Sequence, residues 1–428
     1  MAGKDELRIP VAALEDFVTR IFAAAGCEGA EAARVARYLV AANLTGHDSH
    51  GVVRVPRYVG MLRDGGVVAG QVVDILSEND AMAVVDGRMG LGQTVAPQAV
   101  EIGVAKALKG GSAVVALRNA GHIGRVGDWA EMAAARGVLS IHFVNAHGSV
   151  LVAPFGGADR RFSTAPFCVG VPRRGAAPLV LDFATSLVAE GKVLVASNGG
   201  KRIPADALIG RDGALSGDPR LLYGETEGTH VRDARRGSGA IRAFGGHKGS
   251  GLALMCELLG GVLTGNGAAG PMPAQAAGAP RRFHNGMLSI YLAPSFFGSA
   301  EEFDAAAASY VEYVKSAIPA EPGGEVLVPG EPEERNRAER RAKGVPMPRA
   351  AWDSILEVAL SRARRRGRCA RGAWPGRRAR PRSRSRGRGP ARPSRRSRAG
   401  SSRSPRRCHA RAHGRGCAPA AACRCRGA

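Results

Sequence analysis

NAGHIGRVG, residues 119–127, is the stretch on which the reading of the fold turns. Residues 112–117 before it are rich in β-branched side chains and read as a strand, and 128–135 after it have helical apolar spacing. A glycine turn between a strand and a helix is where a parallel dinucleotide-binding unit carries G-x-G-x-x-G. Here the glycines stand at 121, 124 and 127, the wrong spacing, so a standard dinucleotide fold is not supported. Further out, residues 11–44 form a helical hairpin broken at 26–29, and helical spacing resumes over 52–62. Residues 82–86, 138–144, 179–183 and 287–292 read as strands, and 93–108, 301–316 and 351–360 as helices. Residues 249–263 predict a strongly apolar helix central to the core. Strands and helices mix without regular alternation, which makes the class α+β.

The chain has 428 residues, 45% apolar and only 5% aromatic, with a formal net charge of +24. That charge sits at one end. Residues 362–428 hold 24 of the 61 basic residues and none of the 37 acidic ones, so residues 1–361 are formally neutral. This excludes a basic nucleic-acid-binding globule. The same 67 residues lack Leu, Ile, Val, Met, Phe and Tyr and cannot bury enough apolar surface to offset their ordering entropy; a disordered basic tail is expected. Its alphabet is nearly Arg, Ala, Gly, Ser, Pro and Cys, all with GC-rich codons, which fits a frame-shifted read-through. The run RPRSRSRGR (380–388) would hold RNA or another polyanion by counterion release, although Trp374 is the tail's one aromatic. A polyanion-binding protein with an inactive body is therefore the second functional reading.

No run of about 18 apolar residues occurs, so no transmembrane helix is expected. The start, MAGKDELRIP, lacks an apolar signal core, and its internal KDEL is not a retention signal. Cys27, Cys168 and Cys256 are widely spaced in apolar surroundings, as in a reduced cytoplasmic protein. His47, His50, His122, His147, His230, His247 and His284 show no H-x-x-x-H or H-E-x-x-H spacing, so no metal is expected.

HDSHG (47–51), followed by Arg54, is the densest chemistry. A helix starting near Ser49 would put His50 and Arg54 one turn apart, an imidazole beside a guanidinium. A proton donor next to a carboxylate clamp is what reduction of a 2-oxo acid requires. The same spacing fits a Ser49 helix cap, a satisfied His50 and a surface Arg54. His122, Ile123 and Gly124 suit an anion at a helix N-terminus, or an ordinary glycine turn. Thr164 and the run Asp182-Phe183-Ala184-Thr185-Ser186 set hydroxyls or a carboxylate beside strands, which turn chemistry also explains. Glu190-Gly191-Lys192 adds a cation. Gly245-Gly246-His247-Lys248 opens the apolar helix, either as a flexible entry or as a place where backbone and ammonium meet a phosphate or carboxylate.

HDSHGVVRVPRY (47–58), GHIGRVGDWAEMAAARG (121–137), PFGGADRRFSTAPF (154–167), LDFATSLVAEGKV (181–193), GGHKGSGLALMCELLGGVLTG (245–265) and VPGEPEERNRAERRAKGV (328–345) follow one another along the chain. In this order they resemble the malate/L-lactate dehydrogenase family of the non-Rossmann type, which includes sulfolactate and ureidoglycolate dehydrogenases and cyclic imino-acid reductases. The resemblance implies a homodimeric oxidoreductase using NAD or NADP, with a largely antiparallel sheet flanked by helices. Within a body spanning 1–361, the N-terminal helices and 316–361 would pack together around a central cofactor-binding region at about 75–300. His50 would be the general acid and Ser49 its hydrogen-bonding partner. Lys192 would join them in the catalytic set; it stands where the imino-acid reductases carry an aspartate, and so argues against an imine substrate. Arg54 would clamp the substrate carboxylate and Thr164 would touch the substrate. His122, Ile123, Gly124, Asp182, Phe183, Ala184, His247, Lys248, Gly330 and Glu331 would line the cofactor. The expected substrate is a small 2-hydroxy or 2-oxo acid, malate- or lactate-like. Residues 224–243 are longer and more polar than the family's link before Gly245.

Overall fold

Seven strands make the main sheet, in the order Asp74–Glu78, Met82–Asp86, Ser112–Ala120, His284–Leu292, Leu139–His147, Pro166–Val171 and Leu179–Ala184. This is a computed structural model, and it describes residues 6–199, 202–225, 233–234, 236–270 and 283–372. Five of the six neighbouring strand pairs are antiparallel; only Met82–Asp86 with Ser112–Ala120 is parallel, bridged by the helix Gly92–Gly110. The turn at 121–127 leads into the helix Gly127–Ala134 and then Leu139–His147, which is not the next strand in the sheet. His284–Leu292 lies between, antiparallel to both its neighbours. The glycine turn therefore joins two strands that run the same way without being neighbours, a split βαβ arrangement.

The helices Gly92–Gly110 and Gly127–Ala134 pack on this sheet, burying Val95, Val100, Val115, Leu117, Trp129, Met287 and Tyr291 in one core. Gly103 has to be glycine here, because a Cβ would lie 2.2 Å from the Tyr291 ring. The helix His247–Cys256 continues as a π-helical stretch, Glu257–Leu263, against Leu139–His147 and His284–Leu292. A helix thus forms where the apolar run predicts one, but it is not wholly interior. Leu254, Met255, Leu258, Val262 and Leu263 are exposed.

Two smaller cores flank the sheet. The hairpin Val11–Ala25 and Gly29–Leu44 packs Leu14, Phe22, Val35 and Leu39 with Val345, Met347 and Ile355; Val345–Pro348 pairs with Glu6–Ile9. Val152, Leu208, Leu222, Tyr223 and Ile241 form the other core around a four-stranded sheet whose strands are only two or three residues long. Arg160 ties the described part of 224–243 to this lobe, donating to the carbonyls of Gly239 at 2.6 Å and Gly237 at 2.9 Å.

The last helix, Arg349–Gly372, runs past residue 361, where order is expected to stop. Arg and Ala are strong helix formers, which suits a helical backbone there without an apolar stripe in the sequence. The RPRSRSRGR run and the residues after it lie outside the described residues. Among those described, no helix is long and apolar enough to cross a membrane, and no cluster of His, Cys, Asp or Glu could hold a metal.

Candidate active site

The segment after Gly29–Leu44 does not form the single helix expected from Ser49. A 3-10 turn, Asp48–His50, ends at the extended Gly51, and a second turn, Val52–Arg54, leads into the helix Val55–Arg63. Asn43 makes the break. Its Oδ1 accepts from Val52 N at 2.8 Å, and its Nδ2 donates to Asp48 Oδ1 at 2.6 Å. A Cβ at Gly51 would sit 2.2 Å from that same Oδ1. His50 and Arg54 thus meet across a kink rather than along one helical turn.

Within the kink, Ser49 Oγ lies 2.9 Å from His50 Nδ1, and Arg54 Nε donates to the Ser49 carbonyl at 2.5 Å. Arg54 Nη2 stands 3.8 Å from Glu190 Oε2, whose other oxygen accepts from Tyr223 Oη at 2.7 Å. Burial, and then the Arg54 charge, push His50 down to about 3, so its ring is neutral near pH 7. His50 stacks on His122 with centroids 5.4 Å apart and planes 17° apart. His122 Nδ1 is 2.5 Å from Tyr58 Oη, which also receives Gln93 Nε2 at 3.3 Å. Burial and Arg54 hold His122 well below its ordinary value too.

A polar helix braces the same segment. Glu331–Lys343 has no buried residue, yet Glu333, Arg337 and Arg340 share one face. Glu333 Oε1 lies 3.3 Å from His47 Nε2, and Arg340 grips Asp48 through two bonds of 2.7 and 3.1 Å. Arg337 Nη2 reaches both oxygens of Glu131, at 2.9 and 3.0 Å.

The residues expected around the cofactor gather near the outer strand Leu179–Ala184, but not all turn outward. Asp182 Oδ2 accepts from Gly127 N at 2.7 Å and lies 4.0 Å from Arg125 Nε, so its carboxylate is engaged within the chain. The Ile123 side chain is in the main core, and its N–H donates to Asn285 Oδ1 at 3.0 Å. Gly124, at φ +75°, leaves room for Gln93, whose Nε2 would be 2.9 Å from a Cβ there. The Phe183 ring meets Phe244 edge-on at 5.2 Å, one strand end from Ala184. His247 and Lys248 are exposed at the start of their helix, with His247 edge-on to Phe155 at 5.8 Å. Gly330, at φ +96°, follows Pro329, whose carbonyl accepts from Val180 N at 3.4 Å. Glu331 pairs with Lys315 and accepts from Val328 N at 3.1 Å.

Thr164 is half-buried beside Ser163, whose N and Oγ both donate to the buried Glu257, at 3.0 and 2.7 Å. Lys192 is exposed and makes no side-chain bond among the described residues, although a Cβ on neighbouring Gly191 would touch the Ser49 Cβ at 2.3 Å. Tyr58, Gln93, Glu257 and the brace from Glu331–Lys343 are the functional candidates that sequence reasoning missed. Tyr58 had a usable signal, one turn after Arg54 on the same face. Gln93 had none.

The family profile of the malate/L-lactate dehydrogenases matches residues 9–356. The chain belongs to this family. Hydroxycarboxylate dehydrogenase B of Escherichia coli O157:H7 is 39% identical over 352 residues, 82% of this chain and 93% of that protein. L-sulfolactate dehydrogenase of Methanocaldococcus jannaschii is 34% identical over 319 residues, 74% of this chain and 87% of the other. The solved structure of malate dehydrogenase from Pyrococcus horikoshii OT3 matches with a TM-score of 0.72 at 27% identity, over 85% of this chain and 97% of that one. As a member of the malate/L-lactate dehydrogenase family, the protein is an oxidoreductase of the hydroxy-acid dehydrogenase type. The profile match ends before the basic tail begins.

Proposed function

We propose that the protein interconverts a small 2-hydroxy acid, malate- or lactate-like, with its 2-oxo acid, using NAD or NADP. The observation that supports this most is the kinked segment that sets a neutral imidazole, His50, beside a guanidinium, Arg54. The outer-strand residues fit a nicotinamide dinucleotide. Phe183 and Phe244 offer an apolar wall, and Gly245, Gly246 and the exposed Lys248 offer backbone and a cation of the kind a diphosphate needs. Phe183, Ala184, His247, Lys248 and Gly330 would hold it. Bound there, it would take or give the hydride at the substrate C2.

Arg54 keeps its place through Nε and offers its Nη groups to the substrate carboxylate, fixing the acid for proton transfer. In the oxidative direction a neutral His50 is the right base for the hydroxyl proton. In the reductive direction the incoming carboxylate offsets the Arg54 charge, which eases protonation of His50 before the proton passes to the carbonyl oxygen. Ser49 holds the ring. Thr164 is assigned a substrate contact, and Lys192 an electrostatic part in keeping His50 easily deprotonated. The protein is taken as a cytoplasmic homodimer, with Leu254, Met255, Leu258 and Val262 as the apolar surface a second copy would cover.

The test is loss of NADH or NADPH absorbance by the purified full chain across a panel of 2-oxo acids. Oxidation with one acid is expected and would name substrate and cofactor together. Silence across the panel from a folded protein would overturn the reading.

A further inference from the structure

We infer that Tyr58, held by Gln93, is a positioning residue that fixes His122 as its Nε2–H tautomer, so that the site presents a second imidazole donor beside His50. What receives that donor, an oxygen of the bound acid, rests on the function proposed above; the tautomer itself does not.

Tyr58 is 2% exposed and Gln93 1% exposed, so water cannot compete for their bonds. Gln93 Nε2 donates to Tyr58 Oη at 3.3 Å, while Gln93 Oε1 is buried without a partner among the described residues. The amide is kept in place by the absence of a side chain at Gly124, whose Cβ would stand 2.9 Å from Nε2. With one lone pair of Oη taken by Gln93, the Tyr58 proton has two acceptors in reach, both on His122. The ring Nδ1 is at 2.5 Å and the backbone carbonyl at 3.4 Å, and the shorter contact takes it. Burial raises the Tyr58 phenol above its ordinary value, so the proton stays on it. His122 is neutral, and a neutral imidazole that accepts at Nδ1 carries its hydrogen on Nε2.

His50 also faces a hydroxyl, with Nδ1 2.9 Å from Ser49 Oγ, but as the base of the oxidative direction it carries its hydrogen on Nδ1, donated to Ser49, and leaves Nε2 free to accept. In both stacked rings Nε2 has no partner among the described residues. The fixed Nε2–H of His122 costs no reorganisation when an oxygen arrives, which is the advantage of a preset donor over one that must choose its tautomer on binding.

The decisive measurement is the 15N spectrum of the histidine ring nitrogens in the labelled full chain, with His122 identified by His122→Gln. A protonated Nε2 and unprotonated Nδ1 are expected in the native protein, and a mixture of tautomers in Tyr58→Phe. Gln93→Leu, which leaves the phenol in place, is expected to shift His122 the same way to a smaller extent and serves if Tyr58→Phe does not fold. An Nδ1–H tautomer in the native protein, or an unchanged tautomer in both variants, would overturn the inference. In turnover, Tyr58→Phe should lower kcat about tenfold with little change in KM, the scale of one hydrogen bond. A native protein with the expected tautomer but no turnover of any 2-oxo acid would refute the proposed function and leave the tautomer assignment standing.

Discussion

The helices Gly92–Gly110 and Glu331–Lys343 both hold the segment that carries His50, by opposite means. The first buries Val95, Ala96, Val100 and Val104 in the main core and touches the site through one neutral amide, Gln93. The second buries nothing and works through charge, Glu333 on His47 and Arg340 on Asp48. The Tyr58–His122 side of the site therefore rests on packing that salt hardly affects, whereas the Asp48 side rests on ion pairs that salt screens. Arg340 is better placed than an ordinary surface cation, because its side chain is 13% exposed and its fork engages both Asp48 oxygens.

The largest expected effect falls on the ring that both helices serve. His50→Ala should lower kcat roughly 10²–10⁴-fold, the usual scale of acid–base catalysis, and near-normal turnover would remove His50 from its role. Arg54→Lys comes next. It keeps the charge but loses the fork, and KM should rise by about 10–100-fold, as for a charged hydrogen bond worth about 1.5–3 kcal/mol; an unchanged KM refutes the clamp.

Stability separates the two helices directly. Val100→Ala should cost on the order of 2 kcal/mol in chemical denaturation, by the same amount at low and high salt. Acid should strike this packed side as well. Fully buried between Ser140 and Ser289, His142 has its value lowered by burial to about 3. Its folded state binds fewer protons than the unfolded chain, so its contribution is intact above pH 6.5. Below that it is lost by up to about 1.4 kcal/mol per pH unit, down to pH 3. Arg340→Ala should cost on the order of 1 kcal/mol at low salt, and that loss should shrink at 1 M salt. Equal salt responses of Val100→Ala and Arg340→Ala would break the contrast.

The two helices also differ in how far the sequence reveals them. Residues 93–108 predict a helix from apolar spacing alone, and the structure has one at Gly92–Gly110. Glu331–Lys343 carries no apolar stripe, so periodicity has nothing to detect; its partners, His47, Asp48 and Glu131, lie some 200–290 positions away. The same limit explains the kink at Gly51. The residue types of HDSHG and Arg54 announce their chemistry, but the break comes from two side-chain bonds of Asn43, which no local pattern records. Gln93 and Tyr58 are 35 positions apart and meet only because the fold brings both against the 121–124 turn. The four-stranded sheet stays hidden for a simpler reason, since strands of two or three residues have no period to read.

The smallest effect expected is none, from ending the chain after Gly372. Every residue assigned to the site lies at or before Arg340, the family match stops at residue 356, and the residues removed include no acidic group able to join the ion pairs of Glu331–Lys343. Turnover, KM and denaturation midpoint should match those of the full chain, while retention on a polyanion such as heparin should fall with the loss of arginines. Loss of turnover from a chain of native stability would mean that the basic tail completes the site. The charged side of the contrast would then extend beyond the one helix that Arg340 and Glu333 define.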